Sequence, residues 1–197
     1  VDTLKRQDLD GARRVISQDR AINRKRFDIE ADCLVAIATQ QPMASDLRVL
    51  ASIVLIITEL ERIGDYAKGI ARINLMIGHT PFLKPLIDIP RMAEQARSML
   101  HQAVEAFMRR DIELAESIPA QDDVVDALYD QVYRELMTYV MSDPKHIDQV
   151  NYLLWAAHNL ERTADRVTNI CERVVFTVTG EMAEMNDEES GLAGLAG

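Results

Sequence analysis

The sequence predicts an all-α protein built from two internally repeated antiparallel three-helix bundles. Three observations carry that prediction. The chain is 48% hydrophobic yet only 5% aromatic, with 8 glycines and 6 prolines in 197 residues, a helix-favouring profile. No stretch alternates apolar and polar residues with the period of a strand. One segment occurs twice, as Leu60-Glu61-Arg62-Ile63-Gly64-Asp65 and Leu160-Glu161-Arg162-Thr163-Ala164-Asp165, 100 positions apart. A second match sets residues 1–15 against 104–118 at an offset of 103, and a three-residue gap reconciles the two registers. A period of that length fits two similar small domains, not a solenoid.

The elements follow in order. Residues 1–7 read as the last turns of a helix whose counterpart, 91–110, is complete, so the first helix of the first bundle is expected to be largely missing from the chain. Asp8 and Asp111 suit the N-cap, where a carboxylate accepts from free backbone N–H groups. A long helix then carries apolar residues at Val15, Ile16, Ile22, Phe27, Ile29, Cys33, Leu34 and Ile37 until Pro42 stops it. The next, 43–77, is apolar nearly all round over 47–60 and should be central in its bundle. Gly78 suits its end. The first bundle thus spans 1–78, a linker with Pro81, Pro85 and Pro90 spans 79–90, and the second bundle spans 91–180. Its helices are 91–110, 111–141 with a kink or restart at Pro119, and 144–179 closed by Gly180. Residues 181–197 form an acidic tail expected to be disordered.

Composition excludes several functions. The net charge is −10, and Glu181, Glu184, Asp187, Glu188 and Glu189 supply half of it, so nucleic acid and anionic lipid are disfavoured ligands. The apolar run at 53–57 is far too short to cross a bilayer. Cys33 and Cys171 lack metal-ligand spacing and fit two buried free thiols in a reducing cytoplasm.

The repeated segment carries the chemistry. In each copy a Glu and an Asp stand four apart, one helical turn from each other on one face. Carboxylates so placed repel, which suits a site for a hard cation better than a solvated face. A lone pair of this kind is usually just solvated. Here the pairs have partners at matching depth. Asp126 lies 17 residues before the turn at Asp143 and Glu161 lies 18 after it, while Asp122 and Asp165 lie 21 and 22 away. In the first half, Asn23 and Glu61 are both 19 residues from Pro42, and Asp19 and Asp65 are both 23 away. Two clusters of oxygen ligands follow, the one containing Asn23 being the weaker. Such ligands suit magnesium, manganese, calcium or iron, and zinc less well because no His or Cys is at hand. His158, one turn before Arg162, reads as a packing or surface residue.

The basic stretch Arg13, Arg14, Arg20, Arg24, Lys25 and Arg26 could dock an acidic partner. No phosphate loop, nucleophile elbow or Ser-His-Asp set is present. A phosphate-ester hydrolase using metal-activated water is the alternative function. It lacks a non-ligand base beside the acids, although Arg62 and Arg162 are adjacent in sequence.

QQPMASDLR at 40–48, ELERIGDYAKGIA at 59–71 and NLERTADRVTNICE at 159–172 resemble the PhoU family of phosphate-transport regulators, and the likeness covers nearly the whole chain except the tail. The resemblance implies a non-enzymatic, cytoplasmic, metal-binding helical bundle that dimerises. It implies restraint of the phosphate-starvation response through a membrane sensor histidine kinase and the ATPase of a phosphate ABC transporter. Membrane contact would then come only through those partners. By motif, the family's ligands for iron, magnesium, manganese or zinc fall on Glu61, Asp65, Glu161 and Asp165, joined by Asp19, Asp122 and Asp126. The departures are Asn23 and the absent first helix.

Overall fold

A computed structural model describes residues 1–182, 184 and 185, so most of the predicted acidic tail lies outside the described residues. Those residues contain helices and no strand. The helices are α1 (Asp2–Lys5), α2 (Leu9–Gln40), α3 (Ser45–Ile77), α4 (Asp88–Arg109), α5 (Ile112–Ser117), α6 (Asp122–Ser142) and α7 (Ile147–Thr179). Short 3-10 turns precede α6 and α7.

Local chemistry sets the boundaries. The Asp8 carboxylate accepts from Gly11 N at 2.8 Å to start α2, and Asp111 accepts from Leu114 N at 3.0 Å to start α5. Gly180 ends α7 at φ +82, where a side chain would be strained and an added Cβ would come 3.0 Å from Arg48 Nη1. Pro119 restarts the chain, splitting the expected helix 111–141 into α5 and α6, because proline has no N–H to continue the ladder. The linker is shorter than expected. α4 begins at Asp88, which places Pro90 in its first turn, where no N–H is needed.

α3 packs against α1 and α2 within the first half, and α7 is central to the whole. α7 packs against α3, α4, α5 and α6, and buries residues along its whole length from Val150 to Thr177. The more apolar α3 leaves Leu47 and Leu55 exposed, since only the hairpin partner α2 and one face of α7 cover that stretch. α4, α6 and α7 each pack against both others. A single apolar cluster joins Ile56, Ile70 and Ile73 of α3 to Met92, Met99, Leu136 and Leu153.

Two polar contacts key the first half to its surroundings. Ser52 and Thr177, both buried, bring their hydroxyls to 2.7 Å across α3 and α7. Asn74, fully buried, donates to the carbonyls of Thr3 and Asp8 at 2.9 and 3.1 Å, which fixes the α1–α2 bend. α2 remains largely open, with Phe27, Leu34 and Val35 exposed. Cys33 and Cys171 are buried free thiols as expected, and burial pushes the Cys171 thiol up to about 12. No helix among the described residues is long and apolar enough to cross a membrane.

Candidate metal centre

α6 carries Asp122 and Asp126 on one face, and α7 carries Glu161 and Asp165. The four interact electrostatically across the hairpin, as the depth argument required. Asp122 is 8% exposed, and its carboxyl is raised from the ordinary 3.8 to about 7, first by burial and then by Asp126, Asp165, Glu161 and Asp123. Burial also raises Glu161, with Asp165 and Asp126 adding to the effect while His158 and Arg162 oppose it. Asp122 Oδ1 and Glu161 Oε2 are buried without a hydrogen-bond partner. Such oxygens are costly unless something positive reaches them. As placed, no three His, Cys, Asp or Glu side chains among the described residues are grouped so as to hold an ion. Electrostatic proximity is therefore present without the oxygens being gathered into one coordination sphere.

Two neighbours were not legible in the sequence. His158 Nδ1 stands 3.1 Å from Glu161 Oε2, outside hydrogen-bond geometry, as an ion pair when the imidazole is protonated. His158 is exposed, in keeping with its reading as a surface residue, yet its imidazole is at hand beside Glu161, which corrects the argument against zinc. Its spacing, one turn before Glu161, was the available signal. Tyr129 lies against the same group, its ring 6.2 Å from that of His158 and its phenol raised by burial and by Glu161.

The first cluster is built differently. Asp19 on α2 and Asp65 on α3 do meet, but through Lys68, whose Nζ lies 2.8 Å from Asp19 Oδ2 and 3.0 Å from Asp65 Oδ1. Those two hydrogen bonds raise the lysine further. Asn23 Nδ2 donates to the same Asp19 oxygen at 3.3 Å. Glu61 is half-buried one turn before Asp65. The repeats touch where Arg162 Nε donates to the Tyr66 hydroxyl at 3.0 Å, with the guanidinium 5.6 Å above the Tyr66 ring. In the basic stretch, Arg13, Arg14 and Arg26 pair with Asp10, Asp8 and Glu30, while Arg20, Arg24 and Lys25 are exposed.

Comparison with known proteins places this architecture. The PhoU domain matches residues 1–73 and 89–174. A phosphate-specific transport system accessory protein PhoU homolog of Aquifex aeolicus is 38% identical over 184 residues, covering 93% of this chain and 83% of that protein. The accessory protein PhoU of Escherichia coli K12 is 38% identical over 92% of this chain and 75% of its own length. The crystal structure of PhoU from Pseudomonas aeruginosa superposes with a TM-score of 0.86 at 35% identity, over 91% of this chain and 87% of that one. The phosphate transport system regulatory protein PhoU from Streptococcus pneumoniae gives 0.84 at 32% identity, over 92% and 85%. With its sequence matched at both halves and its helices superposing on solved members, the chain belongs to the PhoU family of phosphate-transport regulatory and accessory proteins, which is not an enzyme family.

Proposed function

We propose that this chain is a cytoplasmic, dimeric adaptor that restrains the phosphate-starvation response. It conveys phosphate sufficiency from the ATPase of a phosphate ABC transporter to a sensor histidine kinase. The observation that carries this reading is the family match along both halves, together with relatives that are phosphate-specific transport accessory proteins. The exposed apolar residues of α2, Phe27, Leu34 and Val35, support a protein partner on that side. Membrane contact comes only through those partners, and the net charge of −10 speaks against nucleic acid as one.

The adaptor also binds metal. Asp122, Asp126, Glu161 and Asp165 would hold a divalent or ferric ion, drawn from iron, manganese, magnesium and zinc. Two buried carboxylate oxygens without donors and an acid raised to about 7 make the cluster fit a cation. The ion would offset the repulsion among these carboxylates and fasten α6 to α7. Hydrolysis is not supported, because Arg162, the guanidinium nearest the cluster in sequence, is committed to Tyr66.

Deleting the gene should raise phosphate-starvation transcripts in phosphate-rich medium, and restoring the chain should lower them. Normal repression in the deletion strain would sink the adaptor reading.

A further inference from the structure

Two clusters of related sequence have opposite electrostatic fates in this molecule. In the first, Asp19 and Asp65 come from different helices and share one ammonium at 2.8 and 3.0 Å. The Asn23 amide adds a further donor to Asp19. In the second, Lys68 is replaced by Thr168 at the offset of 100, and Asn23 is answered by Asp126 at the offset of 103. Thr168 is buried, short and neutral, so no ammonium is delivered from that position. His158 and Arg162 stand near Glu161 there, and Arg162 also donates to Tyr66. One cluster has therefore brought its own cation, while the other keeps buried carboxylate oxygens with no donor.

We infer that Lys68 is a tethered cation that closes the first cluster, so that a metal ion is taken by the second cluster alone. The inference rests on the proposed metal binding and adds which half performs it. A divalent ion entering the first cluster must displace an ammonium already in contact with both acids, and meets its repulsion on approach. The ammonium also joins α2 to α3 where α2 has few other partners. The first half is thereby held together without metal, and occupancy of the second cluster can change without loosening it.

The test is the stoichiometry and stability of the full chain with Mn²⁺, read by the EPR signal of the free ion and by thermal melting. Wild type should take up Mn²⁺ in a manner lost in Glu161→Gln/Asp165→Asn and retained in Asp19→Asn/Asp65→Asn. Lys68→Thr, which copies the second half, should add Mn²⁺ uptake that a further Asp65→Asn removes, and its melting temperature should rise with Mn²⁺ more than that of wild type. Lys68→Arg, which keeps the cation, should add none. Loss of wild-type uptake in Asp19→Asn/Asp65→Asn overturns the inference even if Lys68→Thr fails to fold. Unchanged uptake in folded Lys68→Thr overturns it as well. If wild type takes up no Mn²⁺ at all, the metal reading of the second cluster fails. The role of Lys68 is then decided by whether Lys68→Thr gains uptake.

Discussion

Glu161 of α7 lies close enough to Asp122 of α6 to hinder its ionisation, and each has a buried oxygen without a donor. Asp122 and Asp126 lie 21 and 17 residues before the turn at Asp143, and Asp165 and Glu161 lie 22 and 18 after it, so the hairpin sets the two pairs at matching depth. The repulsion is built in by spacing, and it dictates how this molecule should respond to protons and to cations.

The proton response has a defined sign. Folding raises Asp122 from 3.8 to about 7, chiefly by burial, so the native state binds a proton that the unfolded chain has already released. That contribution is complete below the unfolded value and is lost as pH climbs toward 7, by at most ~1.4 kcal/mol per pH unit. Chelator-treated protein should therefore lose stability between pH 5 and 7, and Asp122→Asn should flatten that slope. Denaturant titrations at several pH values measure it. An identical slope in the variant would remove Asp122 from the cluster.

Cations should have the opposite effect. If the second cluster holds metal, an ion present at 100 times its dissociation constant stabilises by ~2.7 kcal/mol. That corresponds to a melting shift of about 5–10 °C for a domain of this size. Glu161→Gln/Asp165→Asn should abolish both the shift and the metal found by elemental analysis, while far-ultraviolet circular dichroism stays helical. Metal retained in that variant would place the ion elsewhere.

The α3–α7 seam offers a test independent of metal. Thr177 Oγ1 sits 2.7 Å from Ser52 Oγ with both residues buried, so Thr177→Val leaves the serine hydroxyl only its long 3.5 Å bond to the Arg173 carbonyl. The cost should be about 1–3 kcal/mol. Ser52→Ala/Thr177→Val should recover part of it, since both polar partners are then gone. Urea unfolding of these two variants and of Ser52→Ala closes the cycle, and additive losses would show that the two hydroxyls act separately.

What the sequence made legible follows a physical division. Helix starts at Asp8 and Asp111, the stop at Pro42 and the closure at Gly180 depend on the chain's nearest neighbours, and all were readable. The proximity of Asp122 and Asp126 to Glu161 and Asp165 was readable too, because a hairpin fixes depth by counting residues. Lys68 and His158 each stand one turn from an acid of their own helix, Asp65 and Glu161, so that spacing was available; what it does not reveal is that Lys68 also reaches Asp19 on the helix packed against it. Which helix is central to the whole molecule was not read from the sequence, because apolar content cannot say how many neighbours a helix has. α3 is the more apolar, yet α7 is the one surrounded.

The open face of α2 should be where a partner is recognised. Arg20, Arg24 and Lys25 are exposed there, whereas Arg26 is drawn to Glu30 at 3.7 Å and lies 5.1 Å over the Phe27 ring. Three cations beside exposed apolar side chains form a surface suited to an acidic, partly hydrophobic protein segment. Arg24→Glu/Lys25→Glu should weaken capture of the transporter ATPase or the kinase, chiefly by slowing association, and the loss should shrink as salt screens the wild-type attraction. Arg26→Glu is a poor choice, since it breaks an internal pair as well. Helicity and melting temperature should be nearly unchanged in Arg24→Glu/Lys25→Glu, because exposed charges contribute little to stability. Surface plasmon resonance against each purified partner at two salt concentrations gives the rate constants. Unaltered association with both partners would move the docking face off α2, leaving its apolar residues to another copy of the chain.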